Sequence, residues 1–228
     1  MKTIDVLRKF GKLPLFTEND AAKIVNKSPK YVRTLLYRLN KSALIKRIER
    51  GKYTVHGDPT IFLSYIAVPS YIGLWTALRH YGMTGQQPFG FFVITPFPRR
   101  SIIYEGMRIK FAVTKHMFGY KKERYSDFDI FISDREKTII DSLLFKIPIQ
   151  DINLALVGRE INPKKLSDYA KKTGNAALIK RLGYLLEKEK GKSYGLRALD
   201  KNYAKLDYLS GGSGKKDRKW RLIINTRL

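Results

Sequence analysis

Residues 28–55, SPKYVRTLLYRLNKSALIKRIERGKYTV, decide how this chain is read. Ser28 is placed to cap a helix, because its hydroxyl can accept a hydrogen bond from a first-turn N–H that has no partner within the helix. Pro29 suits the first helical position, where a missing N–H costs nothing. Val32, Leu35, Leu36 and Leu39 recur at helical spacing and form one apolar stripe. Lys30, Tyr31, Arg33, Thr34, Tyr37, Arg38 and Lys41 are left for the other sides. Leu44, Ile45 and Ile48 lead into a strand that carries Arg47. Arg50-Gly51-Lys52 is a turn signal, with Gly51 free to take a positive φ, and Tyr53-Thr54-Val55 return as the partner strand.

A helix with a basic outer face followed by a basic hairpin is the reading half of a winged helix-turn-helix. In that module the helix enters the major groove of double-stranded DNA and the wing touches the backbone or minor groove. Working outward, the rest of the module lies upstream. Ile4, Val6, Leu7 and Phe10 predict an amphipathic helix over 3–10, closed at Gly11. Thr17-Glu18-Asn19-Asp20 resembles a capping box, although Asp20 is shorter than the Glu or Gln preferred there. Ala21, Ala22, Ile24 and Val25 make a second helix, and Asn26-Lys27 turn into the Ser28 helix. The expected boundaries are 1–57 for this domain and 58–228 for a larger α+β domain.

Charge points the same way. The 228-residue chain carries 45 Lys+Arg against 20 Asp+Glu, a formal net charge of +25. Such a protein binds polyanions, and nucleic acid is the default partner; a lysine-rich solvated surface is the plainer alternative. Up to residue 56 there are 14 basic and 4 acidic residues, so the excess is present in the reading module itself. The absence of cysteine excludes disulfides, thiolate metal sites and a thiol nucleophile. No stretch approaches the roughly 18 uninterrupted apolar residues of a membrane helix, and MKTIDVLRKFGKL has no signal-peptide core. A cytoplasmic protein with no membrane partner is the expectation.

Downstream, Asp58-Pro59 predicts a helix through Phe62, Leu63, Tyr65 and Ile66. Tyr71 to Tyr81 read as a buried helix stopped by Gly82. Strands are expected at 91–95, 101–104, 107–114 and 129–132, with Glu105-Gly106 as a hairpin turn. Asp134 caps a helix through Leu144. Asn162-Pro163 opens another, Gly174-Asn175 breaks it, and Ala176 to Lys190 form the next. Residues 196–209 read as a looser helix and Trp220 to Ile224 as a last strand. The second domain is thus α+β, with a small, mainly antiparallel sheet and C-terminal helices.

Four stretches resemble, in order, the AbiEi-type antitoxins of type IV toxin–antitoxin (abortive infection) systems, grouped with regulators of viral defence. They are the hairpin Leu44-Ile45…Arg50-Gly51-Lys52-Tyr53; Trp75-Thr76-Ala77-Leu78-Arg79-His80-Tyr81-Gly82-Met83-Thr84; Ser133-Asp134-Arg135-Glu136-Lys137-Thr138-Ile139-Ile140-Asp141; and Lys180-Arg181-Leu182-Gly183-Tyr184-Leu185-Leu186-Glu187. The second departs from the family's His-Gly-Leu-Thr: Tyr81 separates His80 from Gly82, and Met83 stands for Leu. The resemblance implies a winged-helix repressor domain joined to an antitoxin domain. It implies binding to inverted repeats in the protein's own promoter. It also implies a functional pairing, without a stable complex, with a nucleotidyltransferase-like toxin.

The expected DNA-binding residues are Ser28, Lys30, Tyr31, Arg33, Thr34, Tyr37, Arg38, Lys41, Arg47, Arg50 and Lys52. Arginine can read guanine with two parallel hydrogen bonds, whereas wing lysines act on phosphates and carry no sequence information. A second basic zone, Lys164, Lys165, Lys171, Lys172, Lys180 and Arg181, is the candidate antitoxin surface. A DNA-cutting enzyme with a winged-helix reader is an alternative, resting on Glu136-Lys137 near Asp127 and Asp129. Adjacent residues on a strand point to opposite faces, however, which suits a nuclease site poorly. A regulator whose second domain senses a ligand is the other alternative. His56, His80 and His116 are scattered and have no Cys partner, and the Gly211–Gly214 turn lacks the P-loop pattern. No cofactor, metal or catalytic residue is expected.

Overall fold

The computed structural model describes residues 2–87, 89–158 and 160–228 and is mixed α+β. The chain begins α1 (Thr3–Phe10), β1 (Phe16–Thr17), α2 (Glu18–Val25), α3 (Pro29–Lys41), β2 (Lys46–Glu49) and β3 (Lys52–Thr54). The three helices appear where capping and periodicity predict them. The box at Thr17 is complete despite the short aspartate: the Asp20 N–H donates to Thr17 Oγ1 at 3.2 Å, and the Thr17 N–H donates to Asp20 Oδ2 at 2.9 Å. Thr17→Ala removes the hydroxyl that accepts the Asp20 N–H and donates to Asp20 Oδ2, and leaves the backbone half of the box in place. The expected cost is about 1 kcal/mol, read as a lowered midpoint of urea unfolding; an unchanged midpoint would show that the box contributes nothing net.

Asn26, in the left-handed region at φ 52°, ends α2, a conformation its short polar side chain tolerates. Gly51, at φ 77°, closes the β2–β3 hairpin. The sequence pattern did not reveal β1. Its two residues pair antiparallel with β3, Phe16 opposite Tyr53 and Thr17 opposite Lys52, giving the order β1-β3-β2. One apolar cluster closes over these elements: Val6, Phe10, Phe16, Ala21, Val32, Leu36, Leu39, Ile45 and Tyr53. Phe10 and Phe16 stack at 4.2 Å between ring centroids.

The expected boundary after residue 57 does not coincide with the division into compact units, which is discontinuous. One unit takes the chain through Ile72 with Phe89–Val113 and Lys122–Phe131; the other takes the segment after Ile72 up to Phe89, with Thr114–Lys121 and Ile132–Leu228. Residues 59–66 form two 3-10 turns, Pro59–Ile61 and Leu63–Tyr65, in place of the expected helix. Tyr71–Ile72 is a strand (β4), and only Leu74–His80 is helical (α4). Tertiary demands override local propensity here: Tyr71 lies opposite Ile94 and Ile72 opposite Val93, and Tyr65 donates its hydroxyl to the Asp129 carbonyl.

β5 (Phe91–Thr95), β6 (Ile102–Tyr104), β7 (Met107–Val113), β8 (Tyr120–Tyr125) and β9 (Phe128–Ser133) complete a six-stranded sheet of order β6-β7-β5-β4-β9-β8. The β6–β7 hairpin forms as expected, but it places β7 parallel to β5, so the sheet is mixed. β8 was not foreseen, because Lys121, Lys122, Glu123 and Arg124 give it a charged pattern typical of an edge strand.

Four helices follow: α5 (Arg135–Leu144), α6 (Ile149–Val157), α7 (Pro163–Thr173) and α8 (Ala176–Lys190). Asp134, Asn162 and Asn175 cap α5, α7 and α8 with side-chain oxygens. The expected helix over 196–209 is absent. That stretch carries instead β10 (Ala204–Lys205), which joins β11 (Lys215–Asp217) and β12 (Leu222–Ile224) in the order β10-β12-β11. Among the described residues no helix is long and apolar enough to cross a membrane.

Candidate functional site

The site begins with how α3 is held. Val32, Leu36 and Leu39 are buried, which turns the remaining faces of the helix outward. Ser28, Lys30, Tyr31, Arg33, Thr34, Tyr37, Arg38 and Lys41 are all exposed, Tyr37 to 67%. Residues four apart stack along a helix, so Lys30, Thr34 and Arg38 form one row and Arg33, Tyr37 and Lys41 another. Ser28, Lys30, Tyr31, Thr34, Leu35 and Arg38 line a shallow groove of about 390 Å³. Thr34 returns its hydroxyl to the Lys30 carbonyl. Arg33 lies 3.9 Å from the Glu18 carboxylate, a loose, exposed contact.

The hairpin divides its cations. Arg47 and Arg50 are exposed. Lys52, expected to be a phosphate contact, is committed elsewhere: its ammonium binds the Glu49 carboxylate at 3.0 Å and donates to the Ile66 carbonyl. Arg99 holds the same carboxylate. Burial alone would raise the Glu49 carboxyl; the bonds from Lys52 and Arg99 outweigh it and hold the group below its ordinary value. Asn40, which the sequence pattern did not single out, accepts the Arg47 N–H at 3.1 Å and so ties the end of α3 to the hairpin. Among the described residues, none of Lys30, Arg38, Lys41, Arg47 and Arg50 is ion-paired. Five uncompensated cations on one helix and its hairpin make a strong local positive field.

The second basic zone does not form one surface. Lys164, Lys171 and Lys172 are exposed on α7, with Lys172 5.6 Å from the centroid of the Tyr169 ring. Lys165 is bound by Asp134 at 3.0 Å and Glu136 at 2.9 Å. Burial would lower that ammonium's pKa, but the two carboxylates outweigh it and raise it. Lys180 is 2% exposed, bound to Asp200 and to the Asn202 carbonyl. Arg181 is half-buried, donates to the Lys205 carbonyl and stacks on Tyr208. Lys180 and Arg181 are therefore structural cations, needed to satisfy acceptors that sequence distance hides.

The residues of the nuclease alternative are not brought together in one strand. Asp127 lies in an exposed turn between β8 and β9. Asp129 on β9 is bound by Lys122 at 2.9 Å and approached by Arg124, and the Lys122 bond holds it below its ordinary carboxyl range. Glu136 and Lys137 occupy the first turn of α5. Glu136 accepts the Asn162 N–H, and Lys137 is fully buried against Asp141. Among the described residues there is no cluster of His, Asp or Glu that could hold a metal ion. His56 bonds the Leu13 carbonyl, and His80 sits in the last turn of α4, where it suits the negative end of the helix dipole. No protein-family model matches the chain, and no curated protein matches it.

Proposed function

We propose that this chain is a sequence-specific, DNA-binding antitoxin that represses its own promoter. The exposed faces of α3 read bases in the major groove, in the manner of a winged helix-turn-helix, while the β2–β3 hairpin acts as the wing. The observation that carries the reading is the set of cations without ion pairs among the described residues, Lys30, Arg38 and Lys41 on α3 and Arg47 and Arg50 on the hairpin, with Val32, Leu36 and Leu39 of the same helix buried beneath. Arg33 and Arg38 are the base readers, each contributing roughly 1–3 kcal/mol of discrimination when bidentate to guanine. Lys30, Lys41, Arg47 and Arg50 bind phosphates. The resemblance to AbiEi-type antitoxins supports the remaining roles: inverted repeats as the operator, and protection against a nucleotidyltransferase-like toxin without a stable complex.

The test is binding to the chain's own upstream DNA and to a scrambled duplex across a salt series, for wild type and for Arg33→Ala/Arg38→Ala. Wild type is expected to prefer its own upstream DNA at moderate salt. The variant is expected to lose at least about tenfold of that preference, with unchanged melting. Equal wild-type affinity for both duplexes would overturn the reading. Co-expression of either protein with the toxin then separates repression from protection, since the α3 variant should lose the first and keep the second.

A further inference from the structure

The C-terminal sheet carries a second cluster of cations that operator reading does not use. Residues 201–228 hold eight Lys+Arg and two Asp. Register determines where they point. Lys205, Ile223 and Lys216 are opposite one another across β10, β12 and β11, so their side chains leave one face of the sheet together. Ala204, Leu222 and Asp217 form the next row and leave the other face, where Leu222 is fully buried. The sheet's pleat thus puts Asp217 on the opposite side from Lys205 and Lys216, with Lys215 on the carboxylate's own face.

Tyr203 and Arg221 complete the cationic face. The Lys216 ammonium lies 5.3 Å and the Arg221 guanidinium 5.7 Å from the centroid of the Tyr203 ring. Arg221 Nη1 is 3.5 Å from the phenol oxygen. Among the described residues neither cation is ion-paired. Attraction to an aromatic face is modest at accessible sites, so it does not use up either cation. Each keeps N–H donors that an anionic oxygen can accept from.

The support beneath is rigid. Trp220 is 1% exposed, its indole N–H bonds Glu187 at 2.7 Å, and Asp217 accepts the Trp220 N–H. Arg221 is held at φ 53°, in the left-handed region that a bulky residue rarely enters, while its carbonyl accepts the Ala204 N–H.

We infer that this face, built from Tyr203, Lys205, Lys216 and Arg221, is a second nucleic-acid site that binds the phosphate backbone without reading sequence. Charge favours nucleic acid over an acidic protein segment: Lys216 and Arg221 carry no counter-ion among the described residues of a chain of net charge +25, and the closely spaced phosphates of a polynucleotide release their condensed counterions on meeting them. The inference does not depend on α3 being a sequence reader.

The experiment measures full-length wild type and Lys216→Gln/Arg221→Gln against three probes across salt: a scrambled duplex, an oligothymidylate and polyglutamate. Loss of two phosphate contacts is expected to flatten the salt dependence on oligothymidylate by about 1.4 and on the duplex by about 1.8. Binding to polyglutamate should change least, and the preference for the chain's own upstream DNA should persist. Unchanged salt slopes for both nucleic acids would overturn the inference, and so would an equal loss for polyglutamate. Lys216→Gln alone, at an exposed position of edge strand β11, guards against a folding defect and should give about half the effect.

Discussion

Asp141→Ala is expected to be among the most destabilising single substitutions in this chain. Lys137 and Asp141 stand one turn apart on α5, both fully buried, with Nζ 2.5 Å from the carboxylate. The same ammonium lies 4.5 Å from the centre of the Phe118 ring. Removing the carboxylate takes the counter-charge from a fully buried ammonium, and breaking a buried pair in this way costs about 3–5 kcal/mol. That is a large share of the 5–15 kcal/mol typical of a folded domain. Replacing both partners at once, as Lys137→Met/Asp141→Leu, should cost much less, because neither charge of the pair is then buried. Urea or thermal unfolding of the three proteins checks this. A single variant within about 0.5 kcal/mol of wild type would show that the pair is not isolated from other compensating groups.

Gly183→Ala is the second. Alanine is ordinarily the better helix residue by about 1 kcal/mol, yet here a Cβ would come within 2.1 Å of Trp220 Cη2 and Cζ3. The indole cannot yield easily, since it is buried and anchored to Glu187. Either α8 shifts or Trp220 is expelled, and the net loss expected is about 2–4 kcal/mol. A red shift of tryptophan fluorescence should accompany it. In a Trp220→Leu background the same substitution should be nearly neutral, an interaction that a double-mutant cycle isolates. Because Trp220 supports the turn that presents Lys216 and Arg221, Gly183→Ala should also weaken binding to oligothymidylate.

The first effect depends on the burial of a local pair and the second on the meeting of two distant residues, and this is where sequence reading stopped. The Lys180-Arg181 pair looked like surface charge because two adjacent cations on a helix usually are. Lys180 is instead drawn inward by Asp200 and by the Asn202 carbonyl, about twenty residues on. Residues 196–209 have helix-forming composition, but their backbone is claimed by β12: Ala204 donates to Arg221 and Leu206 to Ile223. Tyr71 and Ile72 continue an apolar run that looks helical, yet pair with β5. Lys52 looked free at a hairpin tip, but Glu49 and the Ile66 carbonyl hold it.

What the sequence determined by itself is everything governed by neighbours within about four positions. Thr17, Ser28, Asp134, Asn162 and Asn175 cap their helices by local hydrogen bonds. The apolar spacing of α3 sets which faces it buries and hence which side chains it shows, and Gly51 and the Glu105-Gly106 pair close their hairpins through positive φ. Only the tertiary structure decided strand pairing, the burial of Lys137 and Lys180, and the face on which Lys205, Lys216 and Arg221 converge. Those outcomes rest on register and on the need to satisfy buried polar groups, and both depend on residues that spacing along the chain does not bring together.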